Sequence, residues 1–373
     1  MKKFTLILAT VALLAAGCSK TEVVGPQNRK GINFAAYTAK TTKAAQEDVT
    51  TENLENFEVT AFGNGALYFD DVTFKKNRVS TVWESQTKYF WPAFSLTFCA
   101  YNTPIEYNDL AHKTGFARTI TTTTQELEVS PAAELAYQQD LVAAYAADKR
   151  ASDAVNTNHS LSLTFNHYLT QVTVKATNEN STYQVVVDGV KIANMVGHGK
   201  YTFSENKMTA APGNTNTAVY TATFDGKKLT SVAQEVMTNA GTGKWYLIPQ
   251  TVTSWNPGTD YPNTNPSHGT YLALKVKITA NSGALKIYPA TGENSGWMAV
   301  PIPSGLKFEQ GKKYTVNINF FANNGAGYVD PEAGSDLDGN GAADDMGMKI
   351  IGGEIKFNAT VDPWGNNDIE IDL

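Results

Sequence analysis

The 373-residue chain has only two cysteines, five histidines and little charge, with 18% of its residues Asp, Glu, Lys or Arg. Two cysteines cannot make a disulfide framework. The histidines, His112, His159, His167, His198 and His268, lack metal-ligand spacing. A net charge of −6 without a basic stripe excludes nucleic acid as a partner. No apolar run, the one in the first residues included, is long enough to cross a bilayer. Helical periodicity is nearly absent. The one candidate is Pro131 to Tyr145, whose end from Asp140 onward reads equally well as the start of a strand. There is no G-x-S-x-G elbow, H-E-x-x-H, P-loop or CxxC, and no tandem repeat. Catalysis therefore has no positive support, although a carboxylate pair needs no local signature.

What is present begins with a leader. Met1-Lys2-Lys3 is positive, and Phe4 to Ala16 run apolar over signal-peptide length, so residues 1–17 read as an export signal. The run Leu14-Ala15-Ala16-Gly17-Cys18 resembles a bacterial lipoprotein box, with Ala15 where leucine is usual. Cys18 is then the first mature residue and carries lipid; the alternative is an ordinary signal cut nearby, with Cys18 a bystander. If Cys18 is acylated, Cys99 has no partner, and its place in Phe94 to Tyr101 reads as a buried inert thiol. Residues 18–31, with Gly25-Pro26-Gln27-Asn28-Arg29-Lys30, read as a lipidated tether.

Short strands follow, rich in Thr, Val, Tyr and Phe and separated by Gly, Asn and Pro. They are predicted at Ile32–Tyr37, Phe57–Phe62, Tyr89–Trp91, Leu96–Tyr101, Leu161–Phe165 and Gln171–Lys175. In the second half they are predicted at Tyr183–Val187, Ala218–Phe224, Trp245–Ile248, Leu272–Ile278, Met298–Ile302, Tyr314–Phe320 and Ile355–Val361. The fold class expected is all-β, two tandem β-sandwiches over residues 32–180 and 181–373, divided at Asn178-Glu179-Asn180-Ser181.

The strongest local chemical pattern is Asp336-Leu337-Asp338-Gly339-Asn340-Gly341-Ala342-Ala343-Asp344-Asp345. It sets oxygen ligands at alternate positions and glycine where a calcium loop turns sharply. Asp336, Asp338, Asn340 and Asp344 are the candidate calcium ligands. Gly347 occupies the position of the usual closing glutamate, so a solvated acidic loop is the competing reading. No other cofactor is indicated. His167 reads as a structural residue at a strand end, Trp83, Trp91 and Trp245 as core, and Trp255 and Trp297 as loop residues that could stack on a sugar.

Several phrases in order resemble the fimbrillin family, the Mfa-like pilins of type V fimbriae. They are the Cys18 box, Ile32-Asn33-Phe34, Glu58-Val59-Thr60-Ala61-Phe62, Tyr89-Phe90-Trp91-Pro92, Leu96 to Tyr101 and Asp140-Leu141-Val142-Ala143. Leu163 to Leu169, Tyr246 to Gln250, Gly311 to Val316 and Val361-Asp362-Pro363-Trp364 complete the series. The resemblance implies transthyretin-like domains, no enzymatic activity, lipid anchoring at the outer membrane, protease trimming and assembly by strand exchange into an adhesive fimbria. Its implied partners are other fimbrial subunits, like or unlike, and a surface ligand on host or bacterium. The family's processing arginine is replaced here by Lys43, while Arg29 precedes the first strand. A donor strand is offered by the tail, where Ile369, Ile371 and Leu373 recur at two-residue spacing; alternatively the tail finishes its own domain's sheet. The competing functions are a lipid-anchored glycan-binding protein and an uncharacterised hydrolase.

Overall fold

The computed structural model describes residues 30–38, 48–107, 109, 112–211, 217–237, 243–257, 269–292, 294–342, 344–353 and 355–364. Among them there is no α-helix, and no helix is long and apolar enough to cross a membrane. In the first half the strands are β1 (Phe34–Thr38), β2 (Asn56–Gly63), β3 (Ala66–Lys76), β4 (Trp83–Ser85), β5 (Leu96–Tyr101), β6 (Gly115–Ile120), β7 (Gln125–Ser130), β8 (Val142–Lys149) and β9 (Leu161–His167). Then come β10 (Thr170–Asn178), β11 (Tyr183–Val196), β12 (Gly199–Thr202), β13 (Lys207–Ala210), β14 (Thr217–Lys228), β15 (Gln234–Glu235), β16 (Trp245–Leu247) and β17 (Gln250–Thr251). The last described strands are β18 (Tyr271–Ala280), β19 (Leu285–Tyr288), β20 (Gly296–Pro301), β21 (Lys307–Phe308), β22 (Lys312–Phe320), β23 (Tyr328–Val329) and β24 (Lys356–Pro363).

Seven strands of the first half close on themselves in the order β1-β4-β3-β2-β5-β8-β9. The ring is complete while β1 is in place, and its one weak seam is between β1 and β4, which pair only at Phe34 opposite Trp83. Alternation fills the interior, with Phe57, Val59 and Ala61 of β2 and Leu161, Leu163 and Phe165 of β9 buried in one core.

The second half is a sandwich. One sheet runs β15-β10-β22-β24 with β16 also on β10, and the other runs β14-β11-β18-β20-β23 with β19 on β18. Tyr314, Val316, Ile318 and Phe320 on β22 and Val172, Val174 and Ala176 on β10 face Val185, Val187, Leu274 and Val276 across a common core. β10 and β22 run parallel from Gln171 opposite Lys313 to Asn178 opposite Phe320. The polar stretch at 178–181 is the turn between the two sheets. The Asn178 and Asn180 side chains accept the Asn180 and Thr182 amides at 3.1 and 2.9 Å, as Asx turns do. The expected division at residue 180 falls on this turn, whereas β10 ahead of it is already hydrogen-bonded into the second half.

Tyr168 and Leu169, between β9 and β10, belong to a third core at the junction of the halves, with Tyr101, Leu127, Tyr201, Phe203, Tyr246 and Trp364. A sheet ordered β13-β12-β7-β6 crosses the same junction, pairing Val129 with Gly199 and Glu126 with Thr202. The helix candidate at Pro131 to Tyr145 contributes one 3-10 turn, Leu135–Tyr137, and then enters β8.

Candidate functional site

β1 alternates, so Phe34 and Ala36, with Ile32 ahead of them, point into the first core. The Phe34 ring lies edge-on to Phe74 at 4.7 Å and to Phe98 at 5.3 Å. The strand is held unequally. On one side it runs parallel to β9 from Phe34 opposite Leu161 to Thr38 opposite Phe165. On the other it pairs with β4 only at Phe34 opposite Trp83. Past that point a cavity of about 350 Å³ opens beside it, lined by Ala35, Tyr37, Thr51, Lys76, Trp83 and Ser160. Thr38 and Thr51 close the strand's end, each donating its N–H to the other's hydroxyl at 2.9 and 3.0 Å.

Asp48, the first described residue after 39–47, is 0% exposed. Its Oδ1 accepts from Lys244 Nζ at 2.8 Å, Tyr246 OH at 2.9 Å and Gln171 Nε2 at 2.7 Å, and its Oδ2 accepts from Lys313 Nζ at 2.9 Å. All four donors belong to the second half. Burial pushes the Asp48 carboxyl up, but the Lys244 hydrogen bond and the charges of Lys313 and Lys244 outweigh it and hold the group below the ordinary carboxylate range. Val49 N–H donates to Asp140 Oδ2 at 2.7 Å, and Asp140 Oδ1 meets His167 Nδ1 at 3.0 Å. His167, buried at the end of β9, stacks on Trp364 with centroids 4.1 Å apart and planes 7° apart. Lys313 Nζ lies 5.7 Å from the Trp364 ring centroid. One buried cluster thus joins the residue after 39–47 to the residue before 365–373.

Cys18, Arg29, Lys43, Ile369, Ile371 and Leu373 lie outside the described residues. In the acidic loop, carboxylate oxygens of Asp336 and Asp338 come within 4.8 Å of one another and of Asp345. Asp345, not Asp344, completes that group. Asp336 accepts the Gly339 and Gly341 amides at 2.7 and 3.1 Å as well as the Thr291 hydroxyl. Asp345 Oδ2 accepts the Leu337 and Asp338 amides at 2.7 and 3.1 Å. Asn340 instead donates to Asp338, through its backbone at 2.9 Å and its side chain at 3.2 Å. The Thr291 hydrogen bond, against a smaller push from burial, and the loop amides hold the Asp336 carboxyl below the usual range.

Asp48 has no local sequence signal, because its donors lie 123 to 265 residues away. Trp255 and Trp297, read as loop residues, come to one patch with Tyr271 and Tyr328 on the outer face of the β14-β11-β18-β20-β23 sheet.

These features define a class: an all-β protein in two connected parts, with its first strand seated in the first core and a buried ionic anchor soon after. The chain belongs to the fimbrillin-like family, whose model matches residues 41–331. It is similar to a fimbrial protein from Bacteroides vulgatus at 15% identity and TM-score 0.50, covering 90% of this chain and 100% of that one. A fimbrilin from Porphyromonas gingivalis matches at 12% identity and TM-score 0.41, covering 91% and 99% of the two chains. The fimbrial anchor protein Mfa2 from the same organism matches at 11% identity and TM-score 0.33, covering 78% and 90%. No curated protein matches the sequence.

Proposed function

We propose that the chain is a structural subunit, stalk or tip, of a cell-surface fimbria and has no catalytic role. In this reading it is exported as a lipoprotein acylated at Cys18, anchored in the outer membrane, trimmed by a protease and polymerised by strand exchange to support adhesion. The observation that carries the reading is β1, a short strand that fills the core of a closed sheet and is paired along its whole length with β9 but with β4 only at Phe34. Its departure would empty the places of Ile32, Phe34 and Ala36 and unpair the β9 backbone, leaving an apolar groove that accepts another extended strand. Cleavage after Lys43 separates β1 from the body, whose new end remains pinned at Asp48. Cleavage after Arg29 leaves β1 attached.

The donor in this scheme is the tail with Ile369, Ile371 and Leu373, which reaches roughly 30 Å beyond Trp364 at about 3.3 Å per residue. If the tail finishes its own sheet instead, the subunit accepts a strand without donating one, as a tip would. Other subunits, identical or not, are the partners, with a host or bacterial surface ligand beyond them. Protease-treated protein run unheated on a detergent gel should form a ladder that collapses on boiling. A single monomer band at every protease dose would overturn the assembly route.

A second reading, lipid-anchored glycan binding, draws on a cavity of about 580 Å³ lined by Trp255, Tyr328, Ser254, Asn256 and Ser304. Aromatic faces beside hydroxyl and amide groups suit a sugar ring. A glycan array separates the two readings, since binding abolished by Tyr328→Ala favours the second.

A further inference from the structure

On the outer face of the β14-β11-β18-β20-β23 sheet, Lys191 of β11 and Asp330, directly after β23, meet away from water, 8% and 0% exposed. Lys191 Nζ is 2.8 Å from Asp330 Oδ2. It also lies 5.1 Å from the Trp297 ring and 5.8 Å from the Tyr271 ring.

Two details set this pair apart. The first is that Oδ2 is buried and receives no hydrogen bond, although the lysine nitrogen touches it. The contact is therefore an ion pair without a hydrogen bond. At Asp48, by contrast, Lys244 and Lys313 at 2.8 and 2.9 Å both make hydrogen bonds. The second is that the other oxygen collects all the donors. Oδ1 accepts the Glu332 and Ala333 amides at 2.8 and 2.9 Å and the Tyr271 hydroxyl at 3.3 Å. Donors gathered at one carboxyl oxygen stabilise the charge that develops there when a nucleophile adds to the carbon. The amine is already held in contact, so little further ordering is needed.

We propose that Lys191 and Asp330 condense into an intramolecular amide. Nζ forms a bond to Cγ, and the bond from Cγ to Oδ2 breaks. Oδ2 leaves as water with two of the three ammonium protons, and the third stays on the amide nitrogen. Oδ1 becomes the amide carbonyl and keeps its donors. No oxidant, reductant or second substrate is consumed. The product replaces a buried ion pair, costly to desolvate, with a neutral group. It also staples β11 to the start of the segment that carries the acidic loop, across a span of 139 residues closed by one bond (330 less 191). The inference is independent of the assembly route proposed above.

Intact-mass and peptide mapping of the purified full chain tests it. Trypsin does not cut after a lysine whose ammonium has become an amide. Residues 176–200 should therefore stay in one piece, joined to residues 314–349, at a mass one water below the sum of the two peptides. Lys191→Arg, which keeps the charge but cannot form this bond, should release both peptides at full mass. Free wild-type peptides 176–191 and 314–349 would overturn the proposal. So would a water loss confined to 314–349, which marks aspartate cyclisation. The decisive reading is on the wild type, so failure of the variant to fold would not obscure it.

Discussion

Lys244 donates to the buried Asp48 carboxylate at 2.8 Å, so a residue soon after the first strand is held by the opposite half of the molecule. Substituting Asp48 with Asn leaves the Lys244 ammonium, whose side chain is 6% exposed, without its counter-charge. Breaking a buried pair from one side costs about 3–5 kcal/mol. Urea unfolding should show a loss of that order; a loss below about 1 kcal/mol, the range of exposed pairs, would mean the cluster is solvated.

The same carboxyl makes stability depend on acid. Its folded pKa is below the unfolded value of about 3.9. Its contribution is therefore complete above that value and is lost as the pH falls through the lower, folded one. The stability difference between wild type and Asp48→Asn should stay level from neutral to about pH 5 and shrink below about pH 4. A difference that widens on acidification would reverse the assignment.

Phe34→Ala should destabilise the unprocessed chain by about 3–5 kcal/mol, because it empties a site packed by Phe57, Phe74 and Phe98. Tyr37→Ala, on the outward side of the same strand and 48% exposed, should change stability by less than about 0.5 kcal/mol. Equal losses would show that the alternation of β1 does not define its buried face.

Calcium should bind the acidic loop only weakly. Asp336 and Asp345 already accept amides of their own loop, and an arriving ion must compete with these donors. Calorimetry should show heat only at millimolar calcium, the range of weak extracellular sites. Asp345→Asn should remove that heat while Asp344→Asn retains it; submicromolar binding would contradict the closed geometry.

The two cysteines should separate by reactivity. Cys99 is buried in β5, and burial pushes its thiol well up, so a thiol reagent should label it only in denaturant. A palmitate analogue should label the chain in cells and fail to label Cys18→Ser. Equal lipid label in both would remove the anchor at Cys18.

Legibility in the sequence followed burial. β9 and β22 each bury one face against a core, and their alternation shows in Leu161–Phe165 and Tyr314–Phe320 without any knowledge of partners. β3 escaped notice because most of its positions are at least partly exposed and carry no period-two signal. β7 and β12 were missed as short strands that pair with each other across the two halves. The Asn-rich stretch at 178–181 reads as a division of the chain from its composition, and it forms the turn between β10 and β11. Local periodicity by itself determined the all-β class, the inward face of β1 and the apolar side of most core strands, because side-chain direction alternates with each residue of an extended chain. Tertiary structure alone decided that the first sheet closes, that Asp48 meets Lys244 and Lys313, and that Lys191 meets Asp330. Those contacts join residues more than a hundred positions apart, and no short-range pattern in a sequence records which distant strands will share an edge.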